Sequence, residues 1–379
     1  MHIQRTVFRE DHEIFRATAR RFFERECVPH QLEWDKAGQV TRDIWLKAGQ
    51  EGLLGITISD EYGGGGGDFG HSTVFTEEYA RAGIAGPAFG MHSDIIAPYI
   101  ARCGNEEQKR KWLPGACSGE LILAIAMTEP NTGSDLKAVR TTAVRDGDEY
   151  VINGSKTFIS NGLLADLVIV VCKTDPAAGA RGISLIAVEA DRAGFQRGRK
   201  LDKVGQHAQD TSELFFDNVR VPVGNLLGEE GKGFAYLMAE LPQERFAIAV
   251  TAAARLETAL EHTLAYVKER KVFDQSVWDF QNTKFKLADI KAQAIAVRLM
   301  VDHYLAEHMR RRLTLEESAT AKLFATETLG KALDDMVQLH GGYGYMLEYP
   351  VARAFVDARV TRIYGGTSEV MRELIARKL

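Results

Sequence analysis

From residue 10 to about 120 the apolar positions recur at helical spacing, which predicts helices throughout that stretch. Ile14, Phe15, Ala19, Phe22 and Phe23 make one face of the first. Asn105-Glu106-Glu107-Gln108 has the form of a capping box, and Pro114-Gly115 is expected to end the helix it opens. From Leu121 the period shortens. Segments 121–127, 138–144, 150–152, 156–160, 167–173, 183–189 and 213–216 read as short strands, with tight turns expected at Asp146-Gly147-Asp148 and Asn153-Gly154. After Gly231 the helical period returns. Phe246, Ala249, Val250, Ala253, Leu256, Leu260, Leu264 and Val267 form one stripe down a long helix. Pro242 suits a first helical turn, which sets Glu244 and Arg245 near a helix N-terminus. There the dipole favours a charged carboxylate, while burial opposes it. A second long helix is expected over 282–309, closed by the basic turn Arg310-Arg311-Arg312. Thr314 and Glu317 box the start of a third, ending near Leu339, and Ser368 is expected to cap a last helix over 369–379.

This order of elements predicts an α+β multi-domain chain. It consists of an N-terminal helical domain at 1–120, a middle β-barrel or sandwich domain at 121–230, and a C-terminal helical bundle at 231–379.

Composition narrows the function. Of 379 residues, 45% are hydrophobic and 26% charged, ordinary values for a globular protein. A net charge of −5 supplies no basic field for nucleic acid. No apolar run approaches a membrane span, and residues 1–10 lack the apolar core of a signal peptide. Cys27, Cys103, Cys117 and Cys172 are scattered without a Cys-x-x-Cys, so reduced thiols and a cytoplasmic location are expected. Neither His-Glu-x-x-His nor Gly-x-Ser-x-Gly occurs, and no metal site is expected.

Candidate chemistry lies in the turns. Gly65, Gly67 and Gly70 have dinucleotide-fingerprint spacing, but no βαβ unit surrounds them and Met91 stands near the place of the expected acid. They read as a flexible loop. The stretch from Ala126 to Asp135 leaves a strand as a polar turn whose N–H groups and hydroxyls suit a ring edge or phosphate oxygens. Phe158 and Ser160 put an aromatic and a hydroxyl on one side of a strand end. At Gln338, Leu339, His340, Gly341 and Gly342 a helix breaks into glycines that permit close backbone approach. Taken singly, His340 is simplest as a packed histidine, and Glu244 as an acid decorating a helix start.

Together these motifs resemble the acyl-CoA dehydrogenase family over essentially the whole chain. The matching marks are Met127-Thr128-Glu129-Pro130 through Gly133-Ser134-Asp135, Phe158-Ile159-Ser160-Asn161, Glu269 through Phe273, Gln338 through Gly344, and Ile363 through Glu369. The resemblance implies the three-part fold with a four-helix bundle, FAD between β-domain and bundle, and a homotetramer built as a dimer of dimers. It places Ile125, Met127, Thr128, Gly133, Ser134, Phe158, Ile159 and Ser160 toward the flavin. Arg270, Phe273 and Gln281, with Gln338, Leu339, His340, Gly341 and Gly342, would hold a neighbouring subunit's FAD, and Thr367, Ser368 and Glu369 the chain's own. Ser134, Pro242, Gln243, Arg245, Gly365 and Gly366 fall at acyl-CoA-binding positions.

One departure decides the base. Most members carry a glutamate where Gly365 stands. The long-chain and isovaleryl branches carry it instead on the first bundle helix, and Glu244 matches that position. The stretch from Leu241 to Arg245, with Gly365-Gly366, looks most like the long-chain branch. The implied reaction is α,β-dehydrogenation of an acyl-CoA to a trans-2-enoyl-CoA, with Glu244 taking the α-proton, hydride passing to flavin N5, and an electron-transferring flavoprotein as acceptor. Two other readings share the fold: an acyl-CoA oxidase or flavin monooxygenase, and a relic that binds acyl-CoA without turnover.

Overall fold

The computed structural model describes residues 5–379, so the first four residues of the amino-terminal stretch read for a leader lie outside the described residues. The described residues open with six α-helices: α1 (Glu10–Phe22), α2 (Gln31–Ala37), α3 (Asp43–Gln50), α4 (Phe69–Arg81), α5 (Ala97–Cys103) and α6 (Glu106–Ser118). Ala19, Phe22 and Phe23 are buried as the stripe requires, whereas Ile14 is 65% exposed. The Asn105–Gln108 capping box forms, but Pro114 and Gly115 do not end α6. Trp112, Leu113, Ala116 and Cys117 are all buried along it. That burial outweighs one missing N–H, and the helix ends at Gly119.

The glycine run is not a loose loop. The N–H groups of Gly64, Gly65, Gly66 and Gly67 donate to the carbonyls of Ser59, Gly55, Ile58 and Ile56. A Cβ on Gly64 would stand 2.2 Å from the Ile58 carbonyl oxygen, so glycine is required there by close backbone packing.

Eight strands follow: β1 (Leu123–Ala126), β2 (Thr142–Asp146), β3 (Glu149–Ser160), β4 (Leu167–Lys173), β5 (Ile183–Glu189), β6 (Phe195–Lys200), β7 (Thr211–Pro222) and β8 (Leu226–Leu227). They form one sheet in the order β6-β7-β3-β2-β4-β5-β8, with β1 parallel to β4. No turn forms at Asn153-Gly154; β3 runs through it, slipping register against β7 instead. Leu167, Ile169 and Val171 of β4 pack beneath α5 and α6, while Val168, Val170 and Cys172 join Ile152, Leu214 and Val219 in a core enclosed by the sheet's own curl. Both faces are therefore buried, which is why β4 and β5 read as unbroken apolar runs. The sequence pattern misses β6 because Arg197, Arg199 and Lys200 make it a polar edge, which also guards it against further pairing.

The last third holds α7 (Gly233–Glu269), a short hairpin of β9 (Lys271–Val272) and β10 (Gln275–Ser276), then α8 (Gln281–Met309), α9 (Leu315–His340), α10 (Pro350–Ala358) and α11 (Ser368–Ala376). Thr314 caps α9 as expected. Thr367 rather than Ser368 caps α11, its hydroxyl accepting from the Val370 N–H, while Ser368 is already helical. Ala249, Ala252 and Ala253 of α7 face Ala321, Ala325 and Ala332 of α9 in one core, small residues that bring the helices close.

The placement of Pro242 is a correction. It lies inside α7, well past a start at Gly233, so Glu244 and Arg245 are mid-helix and the dipole argument does not apply to them. The apolar residues Phe234, Leu237 and Leu241 carry the helix through the proline.

Buried charges fasten the first helices to the bundle. Arg298 of α8, 2% exposed at its side chain, donates to Glu257 of α7 at 2.7 and 2.9 Å and to Glu77 of α4 at 2.6 Å. Glu77 also receives Arg5 at 2.8 Å and Arg16 at 2.7 Å.

Candidate active site

Gln243, Glu244 and Arg245 are three consecutive polar residues, all buried, in the middle of α7. Such burial costs free energy unless each finds a partner. The Gln243 amide donates to the Asp94 carbonyl at 2.6 Å and accepts from Arg102 at 3.1 Å. Glu244 accepts one hydrogen bond, from the Tyr99 hydroxyl of α5 at 2.8 Å. Burial pushes its carboxyl up to about 7; Glu240 adds to the rise, and Tyr99 and Arg245 oppose it. Arg245 donates from Nε to the Gly365 carbonyl at 3.2 Å, and its buried Nη1 has no partner among the described residues. An unpaired guanidinium N–H of this kind suits a ligand oxygen.

Gly365 and Gly366 are held from below. Lys322 of α9, fully buried, donates to the Gly366 carbonyl at 2.7 Å, and burial lowers its pKa to about 8, with Arg245 adding to the fall. Nothing in the local sequence marks this lysine; it becomes visible only when α9 docks under the turn. The structure thus brings Glu244, Arg245, Gly365, Gly366 and Thr367 into one region. Ser368 turns its hydroxyl to Glu327 at 2.6 Å, and Glu369 is exposed.

On the sheet side, Ile125 and Met127 pack against the same apolar wall as Met91 and Ile95 before α5 and Phe234 and Met238 of α7. The polar turn is anchored by groups that local reading missed. Lys156, fully buried on β3, donates to the carbonyls of Met127 at 3.0 Å and Val171 at 2.7 Å, and to Glu129 at 2.9 Å. Glu129 also accepts the Arg140 and Thr141 N–H groups at 2.7 and 2.9 Å. Burial works against its charge, yet Lys156 and Thr141 hold its carboxyl below the usual range. The Thr157 N–H reaches the Thr128 carbonyl at 3.0 Å, so the two sheet motifs are one unit. Ile159 turns inward to the sheet core, whereas Phe158 is 68% exposed at a φ of +59°. A strained aromatic held out of the surface is a feature of ligand sites. Gly133 and Ser134 are exposed, with open space where a Gly133 Cβ would stand.

A second place lies at the far end of α9, sixteen residues or about 24 Å of helix beyond Lys322. A hollow of about 430 Å³ is lined there by Arg270, Gln338, Leu339, His340, Gly341 and Gly342 among others. Open space surrounds both glycines, and Phe273 is 89% exposed at a φ of +52°. Gln281 is also exposed. His340 is a packed histidine: Nδ1 lies 2.7 Å from the Met336 carbonyl, and its ring stacks on Tyr266 at 4.2 Å.

These features fit FAD: an exposed aromatic for a flat ring, open glycine backbone for polar groups, and a cationic hollow for a nucleotide end. Helices, a curled sheet and a long-helix bundle in this order, with a buried acid held near neutrality, define a flavin-dependent oxidoreductase. The chain belongs to the acyl-CoA dehydrogenase family. Models of the acyl-CoA dehydrogenase N-terminal, middle and C-terminal domains match residues 9–120, 124–219 and 231–379. The mitochondrial long-chain specific acyl-CoA dehydrogenase of Sus scrofa is 51% identical over 99% of this chain and 88% of its own length. The crystal structure of an acyl-CoA dehydrogenase from Geobacillus kaustophilus superposes with a TM-score of 0.97 at 49% identity, covering 99% of each chain. That of an acyl-CoA dehydrogenase from Bacillus anthracis complexed with FAD gives 0.92 at 32% identity, covering 98% of this chain and 67% of that one. FAD-dependent dehydrogenation of acyl-CoA is the function of the family. Among the described residues no helix is long and apolar enough to cross a membrane.

Proposed function

We propose that this chain dehydrogenates a long-chain acyl-CoA at its α,β-bond, with Glu244 as the base. The observation carrying this is a buried carboxyl whose pKa burial pushes up to about 7, next to the arginine that touches Gly365. An acid of that pKa is half ionised near neutrality, where a general base works best. Bound FAD supplies the hydride acceptor. Glu244 takes the α-proton, and the Gly365 N–H polarises the thioester carbonyl as negative charge gathers on its oxygen. Ser134, Pro242, Gln243, Arg245 and Gly366 position the substrate, and the product is a trans-2-enoyl-CoA. The long-chain assignment is supported by the Sus scrofa relative. It is tested by adding acyl-CoAs of graded length without oxygen and following loss of flavin colour. Bleaching fastest with short chains would refute the long-chain part, and peroxide release in air matching the bleaching rate would favour an oxidase.

The cofactor contacts of this reading are Ile125, Met127, Thr128, Gly133, Ser134, Phe158 and Ser160 at the ring, with Ile159, whose side chain faces the sheet core, contributing through its backbone, and Thr367, Ser368 and Glu369 beside it. Arg270, Phe273, Gln281 and the Gln338–Gly342 hollow serve the FAD of a neighbouring subunit. Support comes from the separation of the two places along α9 and from Phe273 and Tyr345, both more than four-fifths exposed. A homotetramer, functional units dividing near 120 and 230, an electron-transferring flavoprotein as acceptor, and a cytoplasmic setting for four free cysteines complete the proposal. Arg270→Ala should lower FAD retention through gel filtration at unchanged helix content. Tight FAD in a protein that sediments as a monomer would remove the cross-subunit contacts.

A further inference from the structure

Tyr99 is fully buried, and its ring is clamped in the core that Ile96, Ile100, Trp112 and Leu113 share with the sheet. Its hydroxyl donates to Glu244 Oε1 at 2.8 Å. The other carboxylate oxygen, Oε2, makes no hydrogen bond with a described residue. A carboxylate tied at one oxygen to a rigid phenol cannot turn freely about its last torsion, so the free oxygen keeps one direction.

We infer that Tyr99 is a positioning residue for the base: it holds Glu244 through Oε1, favours its ionised form and leaves Oε2 to meet the substrate. The inference rests on the reading of Glu244 as base. A hydroxyl donating to a carboxylate stabilises the charged state and so acts against burial, which drives this carboxyl upward. The other groups around it offer no equal donor. On α7, Glu240 repels the charge and is occupied by Arg102, while Arg245 points to Gly365. On α5, Cys103 lies beside Tyr99. Before α5, Asp94 is buried and bonded to Ser72 at 2.7 Å, its own pKa raised to about 7 by burial. Lys322 faces Arg245 and the Gly366 carbonyl, and His308 of α8, near Arg102, is kept neutral by burial.

The test is Tyr99→Phe in the FAD-loaded enzyme, compared with Glu244→Gln. In the wild type, reductive kcat/KM should rise with pH and level off above about 7, because the protonated carboxyl cannot accept a proton. Loss of a hydrogen bond to a charged group should move that limb up by about one to two pH units. Reduction then falls about tenfold or more at pH 6 and by much less on the plateau. The infrared band of the protonated carboxyl, assigned by its absence in Glu244→Gln and titrated without substrate, should move by the same amount. In the Glu244→Gln background, Tyr99→Phe should change the reduction rate little further. A lowered plateau with limb and band unmoved would make Tyr99 a packing residue only and overturn the inference. A limb that persists in Glu244→Gln would instead overturn Glu244 as base, whatever the infrared band does.

Discussion

Glu244→Gln is expected to slow flavin reduction by acyl-CoA by about 10²–10⁴-fold, the usual contribution of a general base. Acyl-CoA affinity should change by only a few-fold. The amide keeps the shape of the carboxyl and still accepts from Tyr99, so the pocket and its partners stay in place. What it loses is the ability to take the α-proton, which matters only as the transition state is reached. Stopped-flow bleaching without oxygen measures the first quantity and titration of the flavin spectrum the second. Reduction near the wild-type rate would end the assignment. Moving the base across the pocket is harder than a motif comparison suggests. At Gly365 φ is +64°, and a Cβ there would stand 2.5 Å from Ile248 Cδ1. A glutamate at 365 carries roughly 1–3 kcal/mol of backbone strain and a steric conflict with it. The pair Glu244→Gly with Gly365→Glu should therefore recover only part of the lost activity, since the Ile248 methyl must turn aside, and more once Ile248→Val removes that methyl. Tenfold recovery or more in the triple variant, relative to Glu244→Gly alone, is expected. None at all would show that the two positions do not reach the same carbon.

Lys156→Met should destabilise the protein by about 3–5 kcal/mol, the range for removing one member of a buried ion pair. Glu129 would remain buried with two backbone N–H groups as its donors, and the Met127 and Val171 carbonyls would each lose the ammonium. The same change frees the turn that carries Thr128, so FAD retention should fall with it. Urea unfolding followed by circular dichroism reads the loss. Lys156→Met with Glu129→Leu should be less damaged than Lys156→Met alone, since no charge is then stranded. A single variant within 1 kcal/mol of wild type would show that Glu129 needs no cation.

What could be read from the sequence divides by distance along the chain. Strands β4 and β5 were legible to the residue because burial on both faces leaves an unbroken apolar run. The capping boxes at Asn105 and Thr314 are complete within four residues and were found for the same reason. Pro242 misled because its local preference for a first turn outweighed the apolar residues before it, which belong to α7 but pack on a different core. Glu244 could be named only through family resemblance, and its environment was invisible. Tyr99 is 145 positions away, and the pair exists only once α5 lies against α7. Lys156 and Glu129, twenty-seven apart, meet across a curled sheet whose register no local pattern records. Lys322 lay hidden because nothing local sets it apart from Lys331, the other lysine of the same amphipathic helix.

The buried cluster around Arg298 also bears on the order in which the chain can be completed. Glu77 and Arg298 are 221 positions apart, and Arg5 and Asp302 are 297 apart. While the chain is being synthesised, α4 emerges long before the arginine that its carboxylate requires. Until α8 is made, Glu77 has only Arg5 and Arg16 as cations, and although α7 can already cover part of α4, the part that meets α8 has nothing to bury against. The amino-terminal helices therefore reach their final packing only after α8 has left the ribosome, and a product cut short before residue 298 leaves the α8-facing part of α4 exposed as a surface for aggregation.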